Sequence, residues 1–243
     1  MQRRLLRSAL RLPRLPLLLA ILPLAALANS PAATAPDAKP LACSVRVIDA
    51  QTLIRSRRAE EAEASILRPA LQQLEELAKT DTRKFYCSRT AAETLLYLGG
   101  AATRPEIGSA VIVDYDFALA HYFSAYLRVE NRDLAAAEKH IEAALSLSPA
   151  NPMFLCEKAH LRQLAKDWTG AIQLCDQAID STAAFSPPDA RVREKTRALR
   201  TKAYSLVELK KTQEARSLYI ECLALDPNDR KASAELRYLE SLN

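Results

Sequence analysis

The chain has 243 residues, 49% of them hydrophobic, with 34 basic against 29 acidic residues and only four glycines. So few glycines argue against an all-β or α/β chain. The formal charge of +5 comes from the first 28 residues, which hold five arginines and no acid, while residues 29–243 carry 29 charges of each sign. A nucleic-acid partner needs a positive working surface to neutralise phosphates, so that class is excluded.

In chain order, Arg3, Arg4, Arg7, Arg11 and Arg14 form a basic front, and Leu15 to Ala28 then run apolar and end in Ala26-Leu27-Ala28. This order predicts a secretory signal peptide over 1–28, cleaved after small residues. The apolar stretch is short and interrupted by Pro16 and Pro23, so a retained membrane anchor is not expected in the mature chain. Residues 29–40 (NSPAATAPDAKP) are rich in proline and alanine and predict a flexible linker. Cys43 lies too far beyond the apolar run, behind Asp37 and Lys39, for lipidation. Five cysteines leave at least one free thiol in an oxidising compartment, and Cys43 with Cys87 is the one bridge worth considering.

Residues 41–117 are expected to form a helical lead-in with room for one degenerate repeat. Ile66, Ala70, Leu71, Leu74, Leu77 and Ala78 mark one face of a helix from about Arg57 to Lys79, and a second helix is expected from Ser88 to Gly99-Gly100. No strand is expected, since no useful length alternates apolar and polar residues. From Ala118 the spacing sharpens. Asp114 or Asp116 can cap a helix, Asn131-Arg132-Asp133 turns the chain, and Leu134 to Leu147 returns antiparallel. Asn151-Pro152 opens the next helix in cap-then-proline order, and Lys166-Asp167-Trp168 makes the second turn. Ser181 to Ala190 is expected as an inserted loop, Thr196 to Leu225 as a third hairpin, and Asp229 to Leu242 as a closing helix with Leu236, Leu239 and Leu242 on its apolar side.

Three stretches share one pattern: a small residue, an alanine twelve later, a medium apolar residue four later, and a small residue three later. They are Ala125/Ala137/Ile141/Ala144, Ala159/Ala171/Cys175/Ala178 and Ala203/Ala215/Tyr219/Cys222, offset by 34 and then 44 residues. Such a period predicts stacked helical hairpins. Small residues are needed where two helices approach to about 8–10 Å, and Cys175 and Cys222 serve there as compact hydrophobes.

On these positions, with Leu134, Trp168 and Thr212 at the turn and Pro149 and Pro227 closing two copies, the chain resembles the tetratricopeptide repeat family. The resemblance implies an all-α solenoid of tandem antiparallel helix-turn-helix repeats over 118–151, 152–185 and 196–228, with the inserted loop at 181–190 and a capping helix over 229–243. In that family the first helix of each repeat lines a concave binding face. Carried over, this implies Leu119, Tyr122, Tyr126, Val129 and Glu130, then Met153, Cys156, His160, Gln163 and Leu164, then Arg197, Arg200, Tyr204, Val207 and Glu208. Tyr122, Tyr126, Met153, Cys156, His160, Arg197, Arg200 and Tyr204 are the peptide-binding candidates. The tyrosines form an aromatic floor, and Arg197 and Arg200 stand ready for a carboxylate.

Catalysis is not expected, because the chain has no HExxH, GxSxG or phosphate-loop sequence and only three histidines. No cofactor or metal is expected. Cys156 and His160 share a helix face four residues apart, but two ligands do not close a site, and neither His121 nor His140 is expected to converge with another ligand. The sequence thus predicts an exported, periplasmic adaptor that holds a peptide or helix of another protein in its concave groove. The alternatives are a redox- or metal-handling factor acting through Cys156 and His160, or a structural assembly subunit using the lead-in.

Overall fold

A computed structural model describes residues 41–241; the expected signal peptide, the linker and Leu242 lie outside the described residues. The element order is α1 (Asp49–Arg55), α2 (Ala59–Ala62), a π-helical turn (Glu63–Leu67), α3 (Arg68–Thr80), β1 (Lys84–Cys87), α4 (Ala91–Ala102), β2 (Ala110–Val113), α5 (Tyr115–Glu130), α6 (Leu134–Leu147), α7 (Pro152–Leu164), α8 (Trp168–Phe185), α9 (Pro188–Glu208), α10 (Thr212–Leu225) and α11 (Arg230–Ser241). The fold is helical, as expected. Helices α5/α6, α7/α8 and α9/α10 pack as successive hairpins, and α11 closes the end against α10.

Each hairpin turns in the same way. Arg132, Lys166 and Lys210 adopt left-handed φ values of 61°, 59° and 63°, and the next residue donates back across the helix end: Asp133 N to Arg128 O at 2.9 Å, Asp167 N to Arg162 O at 2.8 Å and Lys211 N to Leu206 O at 2.9 Å. This six-to-one closure satisfies helix carbonyls that would otherwise lack partners. Asp133 and Asp167 then cap the returning helix through Ala136 N (3.0 Å) and Gly170 N (2.8 Å). Lys211 stands at the third cap and supplies no side-chain acceptor. The repeated small-residue positions are all buried, Tyr219 being the largest at 1% exposure.

The lead-in carries the same device. Arg57 has φ 59°, and Arg58 N donates to Leu53 O at 2.9 Å while Arg57 N donates to Ile54 O at 3.0 Å. Aligning this turn with the others places Ala50, Ala62, Leu67 and Ala70 at the four pattern positions, and all four are fully buried. Their spacing is twelve, five and three rather than twelve, four and three. The π-helical turn at Glu63–Leu67 supplies the additional residue. It lies just ahead of Pro69, which has no N–H to donate to the preceding turn. Residues 49–80 are therefore a fourth hairpin, with the helix expected from Arg57 to Lys79 broken into three pieces.

Three expectations are corrected. The lead-in is not wholly helical: β1 and β2 form a parallel pair with Lys84 opposite Ala110 and Cys87 opposite Val113. Four residues per strand are too few to show an alternation, and α4 is the crossover between them. Second, α4 starts after Thr90, whose hydroxyl accepts from Glu93 N at 3.2 Å, and runs through Gly99 and Gly100 to Ala102. Third, the segment Ser181–Ala190 is not an open loop. Helix α8 has 18 residues and α9 has 21, against 14 in α6 and 13 in α7, so the insertion lengthens both helices and leaves only Ser186-Pro187 between them. Pro188 fits at the start of α9 because that position needs no N–H donor.

The lengthened α9 is tied to the lead-in by ions. Arg89 Nη1 meets Glu194 Oε1 at 2.6 Å, with side-chain exposures of 9% and 7%. Glu93 accepts from the Arg89 backbone and side chain, and Ser186 donates to the other oxygen of Glu194. The five cysteines are free thiols. Cys43 and Cys87 both contact Asp114, through Cys43 N to Oδ2 and Cys87 Sγ to the carbonyl, each at 3.1 Å.

Candidate functional site: the concave groove

Helices α1, α5, α7, α9 and α11 supply the side chains that line the groove. In the cavity at its C-terminal half lie Tyr126, Cys156, His160, Arg197, Arg200 and Tyr204. Tyr122 and Met153 line a second cavity of about 560 Å³ toward the lead-in, which Arg197 also borders. The eight candidate residues thus fall on one continuous surface. Val129, Glu130 and Gln163 line it too, whereas Leu164 is exposed and Val207 packs into the α9–α10 core.

Their exposure differs in a way the spacing does not reveal. Tyr126 and Tyr204 are 38% and 44% exposed, but Tyr122 and Cys156 are buried. Tyr122 stacks on Phe154 with ring centroids 5.4 Å apart, so its ring belongs to the floor, and its hydroxyl accepts from Arg197. Tyr204 stands edge-on to Trp168 at 6.1 Å. Burial pushes the Cys156 thiol up to about 12. A thiol held so far from ionisation is a poor nucleophile and a poor soft-metal ligand, which counts against the redox reading of Cys156 and His160.

The arginine expectation is corrected. Arg197 and Arg200 are already engaged: Arg197 meets the buried carboxylate of Glu157 at 2.6 Å and the Tyr122 hydroxyl at 3.2 Å, and Arg200 pairs with Asp229 at the start of α11. Both are internal ties between helices, because a buried carboxylate needs a cation close by. Of the cations that line the groove, Arg89, Arg197 and Arg200 are paired, whereas Arg55, Arg193 and Lys231 form no ion pair among the described residues. They line a cavity of about 540 Å³ together with Tyr122, Phe123 and Tyr126. None of the three was marked by the repeat frame. Arg55 belongs to the hairpin that the π turn conceals, Arg193 to the lengthened part of α9, and Lys231 to the cap. Their only sequence signal is helical spacing: Arg193, Arg197 and Arg200 follow one another at four and three residues on a single face.

His121 and His140 do converge, contrary to expectation. Their Nδ1 atoms are 3.1 Å apart across the α5–α6 hairpin. Burial, and then the neighbouring His140, lowers the His121 imidazole to about 4. His140 is lowered by burial and then by Arg128, with Glu63 opposing.

Residues 197–229 match the family model of the tetratricopeptide repeat. The chain carries a tetratricopeptide repeat. The matched segment covers most of α9, all of α10 and the turn before α11, so this repeat contains Arg197, Arg200 and Tyr204 of the groove. No curated protein matches the chain. Among solved structures, the N-terminal domain of stress-induced protein-1 from C. elegans aligns at 19% identity and TM-score 0.43, over 52% of this chain and 96% of that one. The first tetratricopeptide domain of Spaghetti (RPAP3), bound to an HSP90 peptide, aligns at 23% identity and TM-score 0.45, over 54% and 95%. The first such domain of human RPAP3 aligns at 21% identity and TM-score 0.44, over 51% and 90%.

Proposed function

We propose that this protein is a non-enzymatic adaptor that holds an extended or helical segment of another protein in its concave groove. The observation that carries the reading is the pairing of two exposed tyrosines, Tyr126 and Tyr204, with three groove cations that form no ion pair among the described residues, Arg55, Arg193 and Lys231. Tyrosine and arginine concentrate binding energy because they bury large, rigid contact areas and offer several donors. Apolar side chains of the bound segment lie on the tyrosines, and its carboxylates meet the cations along one edge. The reading includes export: the basic front and apolar run of residues 1–28 support a periplasmic location. Among the described residues no helix is long and apolar enough to cross a membrane.

The test is a photo-crosslinking amino acid placed at Tyr126 or Tyr204 in the native compartment. Adducts to one protein from both positions are expected, and their absence at both sinks the reading.

A second reading, a structural assembly subunit, has its own observation. Helix α4 exposes Leu95 (75%) and Leu96 (45%), and its only charged residue, Glu93, is buried. An uncharged exposed helix face of this kind marks an association surface. A crosslinker at Leu95 separates the readings: adducts there and none from the groove favour assembly through the lead-in.

A further inference from the structure

The two parts that depart from the regular array meet at one end of the groove. Helix α1 of the fourth hairpin brings Arg55, and the lengthened start of α9 brings Arg193, both exposed, to the cavity of about 560 Å³. Its apolar lining includes buried Leu119 and Phe123 and half-buried Met153. A volume within about 300–1,000 Å³ and a largely apolar wall are those of a small-molecule site. Four arginines and two acids border the cavity: Arg55, Arg89, Arg193 and Arg197 against Asp189 and Glu194. Glu194 is committed to Arg89, and Arg197 to Glu157 of α7. Asp189 stands one turn before Arg193, and no ion pair joins them among the described residues. Positive charge is therefore in excess. Arg89 gives an independent sign: its side chain is 9% exposed, and its Nε is a buried donor with no partner. Buried donors are almost always paired in native folds, so an orphan on a residue that borders a cavity points to an acceptor from outside the chain.

We infer that this cavity binds a small anionic amphiphile, an acyl or aryl body that carries one carboxylate or phosphate head. The body lies against Leu119, Phe123 and Met153, and the head is shared by Arg55 and Arg193, whose planar forks each present paired donors to anionic oxygens. Neither half of such a ligand suffices. A neutral chain forgoes both arginines, and an inorganic anion forgoes the burial of apolar surface. The inference does not rest on the adaptor reading, because Tyr126 and Tyr204 line the neighbouring cavity and not this one.

The experiment titrates the purified chain with laurate and with dodecyl phosphate, each below its micelle concentration, by isothermal titration calorimetry. Saturation at one molecule per chain by at least one of them is expected, and the tighter probe names the head group. Dodecanol, which has no charge, and octanoate, which is shorter, should each bind at least about tenfold more weakly. R55Q and R193Q should each weaken the tighter probe by about tenfold, whereas K139Q, which removes an exposed cation of α6 that does not line the cavity, should leave it unchanged. Should a variant fold poorly, the wild-type comparison of charged and uncharged probes still decides the matter. The inference is overturned if neither charged probe saturates, if dodecanol matches them, or if both arginine variants bind as tightly as wild type. Segment capture at Tyr126 and Tyr204 with no uptake of either charged probe would sink this inference and leave the adaptor reading standing; uptake without capture would do the reverse.

Discussion

The two halves of this molecule are built from one device and read very differently. In residues 118–225 the hairpins keep a strict spacing of small residues, so alignment of three copies marks their turns and buried positions. In residues 41–117 the same hairpin is present with the same left-handed turn at Arg57 and the same buried Ala50, Ala62, Leu67 and Ala70. One additional residue in the π turn and an inserted strand–helix–strand unit hide it. A single-residue slip destroys a fixed-period alignment while costing the fold little, because the buried face is restored one turn later.

The comparison can be broken most severely where the halves are joined. Glu194→Ala removes the carboxylate that Arg89 meets in a nearly closed environment, leaving the buried guanidinium with only the longer contact to Glu93 at 3.4 Å and with an Nε that has no partner. Loss of about 3–5 kcal/mol of stability is expected, read as a lower denaturant midpoint. A loss below about 1 kcal/mol would mean that the ion cluster does not hold α9 to the lead-in.

Within the regular half, Ala171→Leu forces three carbons into a fully buried contact between α7 and α8. It should cost about 1–3 kcal/mol. Ala62→Leu in the lead-in should cost a similar amount if Ala62 occupies the equivalent position. A neutral A62L beside a destabilised A171L would deny the fourth hairpin.

A smaller effect is expected from pH. An unfolded imidazole titrates near 6.5, whereas burial holds His121 down to about 4. Between those values the unfolded chain binds more protons than the folded one, so stability falls as pH drops from 6.5 toward 4. Urea midpoints for wild type and H121Q at pH 7 and pH 5 check this. The wild-type midpoint should fall more between the two than that of the variant; equal falls would show that the pair does not sense the proton.

Much of the groove was legible because the first helix of each regular repeat presents the same positions: Tyr126, His160 and Tyr204 all face it. The charges were not. Spacing alone placed Arg197 and Arg200 correctly, but the acids that neutralise them lie elsewhere, Glu157 on the facing helix and Asp229 ahead of the cap. Arg55, Arg193 and Lys231 escaped because each belongs to a part that departs from the 34-residue frame. The histidine pair escaped for a related reason: residues 19 apart meet only after the α5–α6 turn is fixed.

The central claim is that the exposed tyrosines and the groove cations without an ion pair together hold a protein segment. It is tested most directly by titrating the segment crosslinked from the groove against wild type and against Y126A/R193A/Y204A, with a thermal melt of each. The account predicts a melt unchanged within about 0.5 kcal/mol and an affinity lower by at least about two orders of magnitude, as loss of hot-spot side chains gives. Equal affinity of the two proteins for the segment would contradict it.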